Sequence, residues 1–169
     1  MTDTPALQPN TLAFIALCNE FCSAVENAGQ TERTDFIAAM LRLLPRIYIA
    51  ASDIPADITE LDDAYIDNAL TEDYYDAMRR GVETVMGEDD TYLDVFEEDM
   101  KFSDTPIAAS ISEGVADLFQ VFYNYLETVR DATYEVISQA TSAARDDFAH
   151  YWSRRLCDVL RALYAIQNQ

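Results

Sequence analysis

Glycine occurs four times, histidine once and lysine once among 169 residues, and each scarcity removes a chemistry. With glycine only at 29, 81, 87 and 114, neither a G-x-G-x-x-G turn nor a Walker-type phosphate loop can be written. His150 is the sole histidine base for a serine or cysteine nucleophile, in a helix crowded with aromatics, so a hydrolase triad is a poor fit. Asp147 and His150 stand three apart, like the acid-x-x-His pair of ferritin-like di-iron bundles. Those sites need a second such pair, which the sequence lacks. Cations are short as a class: 11 Lys+Arg, all arginine but Lys101, face 31 Asp+Glu for a formal charge of −20 and a pI near 4.1. That balance argues against direct binding to nucleic acid or to an anionic membrane, both of which rely on basic side chains neutralising phosphate.

Long apolar runs are missing too, and none approaches the roughly 20 residues of a membrane span. No Lys or Arg precedes Arg33, so the basic start of a secretory signal is not found, and the apolar run Leu12 to Cys18 is closed by Asn19 and Glu20. Cys18, Cys22 and Cys157 form an odd set without a CxxC pair, which reads as reduced thiols rather than a disulfide framework or a metal site. A cytoplasmic location is expected.

What is present is helical periodicity from end to end, with strand-like alternation nearly absent. After a flexible start at 1–9, Asn10 is the expected N-cap of a first helix that buries Phe14, Leu17, Cys18, Phe21 and Val25 and stops at Gly29. A second helix carries Phe36, Ile37, Met40, Leu41, Leu44, Ile47 and Tyr48 on one face, with an expected kink at Pro45. Thr71 caps a third, which Gly87 terminates. Ser110 and Glu113 form a capping box before a fourth helix bearing Val115, Leu118, Phe119, Phe122 and Leu126. After a break at 130–133, one long pattern through Phe148, Trp152, Leu156 and Leu163 runs almost to the end, with Thr141-Ser142 as its expected weak point. The expected fold is a single all-α domain over 1–169, an irregular antiparallel bundle of about five helices with a long C-terminal helix.

Two acidic connectors interrupt this pattern. Residues 53–70 hold six acids and no cation, with a short helical turn expected near Asp62 to Leu70. Residues 88–106 alternate acids with Tyr92, Leu93, Val95, Phe96, Met100 and Phe102, apolar enough to pin an extended loop onto the bundle. The charge is regional: residues 53–104 hold 18 acids and three cations, a net −15, which leaves −5 for the rest of the chain.

The run Gly87-Glu88-Asp89-Asp90, Tyr92-Leu93, Val95-Phe96, Asp99-Met100, continuing through Ser103 to Glu113 and Ala116-Asp117-Leu118, resembles the middle signature of an uncharacterised bacterial family, domain of unknown function 5063. Phe148-Ala149-His150-Tyr151-Trp152, Leu156 and Leu160-Arg161-Ala162-Leu163 resemble its closing signature. The resemblance spans roughly residues 10–166 and implies a short acidic all-helical protein with no established activity. Tyr151 separates a His and a Trp that are adjacent in that family, so it assigns no role to His150.

No catalytic residue and no cofactor is implied. The expected function is non-catalytic: an interaction or adaptor protein whose acidic, tyrosine-bearing surface binds a basic macromolecular partner. Tyr74, Tyr75, Tyr92, Asp94, Glu97, Glu98 and Asp99 are the candidate binding residues, because tyrosine beside carboxylate suits an Arg-rich surface. The enzymatic alternative is a Mg²⁺- or Mn²⁺-dependent hydrolase of a small phosphorylated molecule, with Glu88, Asp89, Asp90 and Asp94 as weak metal candidates. A third reading is mimicry of nucleic acid by the carboxylate surface. Arg145, Arg154, Arg155 and Arg161 share the last helix, where pairing with intramolecular acids is the simpler role and an anion site the other.

Overall fold

The computed structural model describes residues 5–55, 65–94, 105 and 107–169. Helix α1 (Pro9–Glu26) starts on a proline, whose missing N–H costs nothing at a first helical position. Gln8 precedes it, so Asn10 is inside the helix and does not cap it; its side-chain amide donates instead to the Asp53 carbonyl at 3.0 Å. Phe14, Cys18, Phe21, Cys22 and Val25 form the buried stripe, while Leu17 packs at its edge. The helix ends at Asn27, ahead of Gly29, because the Asn27 amide takes the Ser23 carbonyl at 2.8 Å and a 3-10 turn, Ala28–Gln30, follows. Helix α2 (Arg33–Ser52) runs through Pro45 and buries Phe36, Ile37, Met40, Leu44 and Ile47. Its Tyr48 is 41% exposed, with its ring edge-on to Phe148.

The acidic connector is laid down, not free, over its described part. Residues 65–70 contain no helical turn, and 56–64 lie outside the described residues. The Asn124 side-chain oxygen accepts from the Ala69 and Leu70 N–H groups at 3.0 and 2.8 Å, Thr128 Oγ1 accepts from Asp67, and Leu70 is buried. Helix α3 (Glu72–Met86) begins as the sequence predicts: the Thr71 hydroxyl accepts from the Tyr74 N–H at 3.2 Å, and Glu72 and Asp73 face the positive helix end.

Past Gly87 the described start of the expected extended loop is a turn and a strand. A 3-10 turn, Gly87–Asp90, leads into strand β1 (Thr91–Asp94), which pairs antiparallel with β2 (Ile107–Ser110), Thr91 opposite Ser110 and Asp94 opposite Ile107. Val95, Phe96, Met100 and Phe102 lie outside the described residues. Helix α4 (Ile111–Val129) is the central element, packed against α1, α3 and the C-terminal helix. The Ser110 hydroxyl accepts from the Glu113 N–H at 3.1 Å, as the capping box predicts. Tyr125, not Leu126, is fully buried, with its hydroxyl 2.7 Å from Thr141 Oγ1.

The chain breaks at Arg130 to Thr133, where Asp131 takes a positive φ, and Thr133 caps α5 (Tyr134–Asp147). A π turn, Phe148–Trp152, joins α5 to α6 (Ser153–Gln167), and the three form the long C-terminal helix. Helix α5 is regular through Thr141 and Ser142, so the irregularity sits at the π turn rather than at the expected weak point. The cause is legible in the core residues. Ala140, Ala144, Phe148, Trp152 and Leu156 are all buried and lie four apart, a spacing that drifts by about 40° per step on a regular helix of 3.6 residues per turn. One wider turn returns the stripe to the core. It also seats Trp152, whose ring meets Phe14, Phe122 and Phe148 at centroid distances of 6.1, 5.1 and 4.7 Å and whose indole N–H donates to the Ala144 carbonyl at 3.1 Å.

Candidate functional site: an acidic groove beside the C-terminal helix

The groove is set up by a glycine. Gly87 ends α3 with φ at +57°, and a Cβ there would stand 2.6 Å from an Arg33 Nη. Arg33 needs that space because its Nε donates to the Val85 carbonyl at 3.1 Å and its Nη1 pairs with Asp89 at 2.8 Å, joining the start of α2 to the turn. Asp90 is then directed inward. Its two carboxylate oxygens accept from the Ser112 N–H at 2.8 Å and the Ser112 hydroxyl at 2.7 Å, at the positive end of α4.

With the turn fixed at both ends, β1 lies across from the C-terminal helix and a cavity of about 420 Å³ opens between them. Glu88, Asp89, Thr91, Tyr92, Leu93 and Asp94 line one wall; Asp158, Arg161, Ala162, Ala165, Ile166 and Gln169 line the other. Four carboxylates and one guanidinium therefore surround a floor of alanine and isoleucine. Leu93 is 65% exposed at the rim and Asp94 is buried.

Of the residues read from the sequence, Tyr92 and Asp94 come together here, joined by Glu88 and Asp89. Glu97, Glu98 and Asp99 lie outside the described residues. Tyr74 and Tyr75 are placed elsewhere. The Tyr74 ring packs edge-on to Phe119 and Tyr123, and burial, then the charge of Glu26, raises its phenol pKa. The Tyr75 hydroxyl donates to Asp117 at 2.7 Å, and burial followed by that bond raises its pKa. Both phenols are thereby kept neutral at ordinary pH. The sequence reading missed the far wall. Its signal was present: Asp158, Arg161, Ala162, Ala165, Ile166 and Gln169 repeat at three and four, a second stripe on the last helix beside the core stripe.

Of the metal candidates, Asp89 is paired with Arg33 and Asp90 with Ser112, while Glu88 and Asp94 line the groove. Among the described residues no three His, Cys, Asp or Glu side chains gather in a way that could hold a metal ion. Cys18 and Cys22 are buried and Cys157 exposed, all as free thiols, and burial raises the pKa of each. His150 is exposed, with Nδ1 2.9 Å from the Asp146 carbonyl oxygen. Among the described residues no helix is long and apolar enough to cross a membrane.

These features define a class: an all-α bundle of five helices that carries one short hairpin and, between hairpin and last helix, an acidic groove. Within that class the chain belongs to the family described as Domain of unknown function (DUF5063), which it matches over residues 5–169. It is similar to protein BF1032 from Bacteroides fragilis, whose crystal structure superposes with a TM-score of 0.80 at 24% identity, covering 94% of this chain and 92% of that one. At that identity the likeness speaks for the fold. None of the curated proteins matches the chain.

Proposed function

We propose that the protein is a non-catalytic interaction protein of the cytoplasm, which binds a basic segment of another protein in the groove between β1 and the C-terminal helix. One observation carries this reading: Glu88, Asp89, Asp94 and Asp158 surround an apolar floor and Tyr92, with Arg161 as the single cation of the lining among the described residues. A partner's arginine or lysine suits each part. Its aliphatic stem covers Ala162, Ala165 and Ile166, its charged head meets Asp94 or Asp158, and Tyr92 offers a ring face to a guanidinium. The four carboxylates of the lining steer such a partner toward the groove over roughly a Debye length, about 8 Å at physiological salt. Nucleic acid and anionic membrane are repelled by the same field.

A fluorescein-labelled Arg-rich peptide tests it by polarisation. Affinity is expected to fall as salt rises, which any acidic protein would show, so position is the deciding variable. The groove triple Glu88→Gln/Asp94→Asn/Asp158→Asn should weaken binding by about tenfold or more, and the same charge change on α2 and α3, Asp35→Asn/Glu72→Gln/Asp73→Asn, by about threefold or less. Equal losses in the two triples would defeat the proposal, and circular dichroism of both checks that the bundle is intact.

A further inference from the structure

Two arginines of the last helix, Arg154 and Arg155, lie outside the acidic groove and share a cavity of their own. The π turn sets His150 and Tyr151 one turn ahead of Arg154 and Arg155, and with Asp158 these residues line a depression of about 210 Å³. It meets the acidic groove only at Asp158. The chemistry is the opposite of the groove's: Arg154, Arg155 and Tyr151 all end in N–H or O–H donors, and Asp158 is the one carboxylate in the lining. Arg155 is held in position. Its Nε lies 3.3 Å from Asp117 Oδ2, Asp117 Oδ1 accepts from Tyr75, and Tyr151 and Asp158 also lie close to the guanidinium. Asp146 faces the His150 ring at 3.4 Å, and Asp147 also lies near that ring. π turns recur at functional sites because the extra residue re-aims side chains that a regular helix would hold in register. Here the re-aimed residues are the ones at the cavity.

We propose that this cavity is an oxyanion site, in which a phosphoryl or carboxylate group is held between Arg154 and Arg155 with the Tyr151 hydroxyl as a third donor. A guanidinium offers two parallel N–H donors to two oxygens of such a group, and Asp117, tied by Tyr75, positions that of Arg155. The site does not rest on the groove reading, since its ligand carries the opposite charge and its lining differs in all residues but Asp158.

Titration of the full chain with inorganic phosphate or acetate, at ionic strength held constant with chloride, tests it through the Nε–Hε NMR signals of Arg154 and Arg155. Saturating shifts are expected, with a dissociation constant in the millimolar range. Tighter binding of phosphate assigns the site to a phosphoryl group, and tighter binding of acetate assigns it to a carboxylate. Arg154 is exposed, so Arg154→Gln keeps the fold and should weaken the preferred anion by about tenfold; Tyr151→Phe, which removes one hydroxyl, should weaken it by about threefold. Shifts that stay linear up to about 50 mM and equal those from chloride overturn the proposal, as does an Arg154→Gln titration indistinguishable from that of the unaltered protein.

Discussion

The aromatic cluster around Trp152 and the acidic turn at Gly87–Asp94 are held in place in opposite ways. Phe14, Phe122, Phe148 and Trp152 meet ring to ring with at most 5% of any residue exposed, and their position follows from close packing and apolar area removed from water. The acidic turn has a positive φ at Gly87, one ion pair from Arg33 and one carboxylate locked onto Ser112. These few directional contacts and the pairing of β1 with β2 hold the segment in place, and Glu88, Asp89, Tyr92, Leu93 and Asp94 line the groove. If the groove binds a partner as proposed, stability and recognition are divided between two regions, and substitutions in each should fail differently.

The largest effect belongs to the core. Trp152→Ala should lose about 3–5 kcal/mol in urea unfolding, from lost area plus the cavity left among three rings. A loss below about 1 kcal/mol would show that the rings relax around the gap and that the core is no better packed than the rim. Asp90→Ala comes next, at about 2–3 kcal/mol, because it strips the Ser112 N–H and hydroxyl of a charged acceptor inside a closed site. Among the carboxylates of the acidic turn this is the one whose removal should cost most stability, and a null result would mean that Ser112 does not anchor the turn.

Why the helices were readable and the hairpin was not follows from the same division. Helix starts capped by Thr71 and Ser110 fall at the residues the sequence indicates, since cap and first turn are local, and the expected break at 130–133 ends on a third cap, Thr133. Asn10 misled because a carbonyl 43 positions away, at Asp53, outbid the local cap. The strands Thr91–Asp94 and Ile107–Ser110 are four residues each, too short for an alternation signal, and their pairing spans a long separation that no local pattern encodes. Of the groove, only the hairpin wall was legible. The wall from α6 needed knowledge of which stripe of that helix faces the core, and the π turn changes that partway along. The four-residue spacing from Ala140 to Leu156 carried this information in the sequence.

Two glycines on helices give the smaller effects and test whether crowding, not the residue type, sets the sign. A Cβ at Gly114 would lie 2.5 Å from Val159 Cγ2, where α4 crosses α6. Alanine normally improves a helix, but here about 1–2 kcal/mol should be lost to overpacking, and Val159→Ala in the same chain should return part of it. If the single and double variants are equally stable, the crossing is looser than the contact implies.

At Gly81 in α3 the added methyl meets nothing within 4 Å, and φ is not positive. Gly81→Ala should therefore raise stability by about 0.5–1 kcal/mol through the unfolded chain's lost freedom alone. Gly87, six residues on, should respond in the opposite sense, since its φ of +57° and the Arg33 guanidinium both oppose a side chain. The informative measurement is peptide affinity in each variant beside its melting temperature. Gly81→Ala should change melting and leave affinity alone, while Gly87→Ala should disturb the Arg33–Asp89 pair and lower both. If the more stable Gly81→Ala protein bound the Arg-rich peptide differently, α3 would belong to the recognition surface and the boundary between the two regions would have to move.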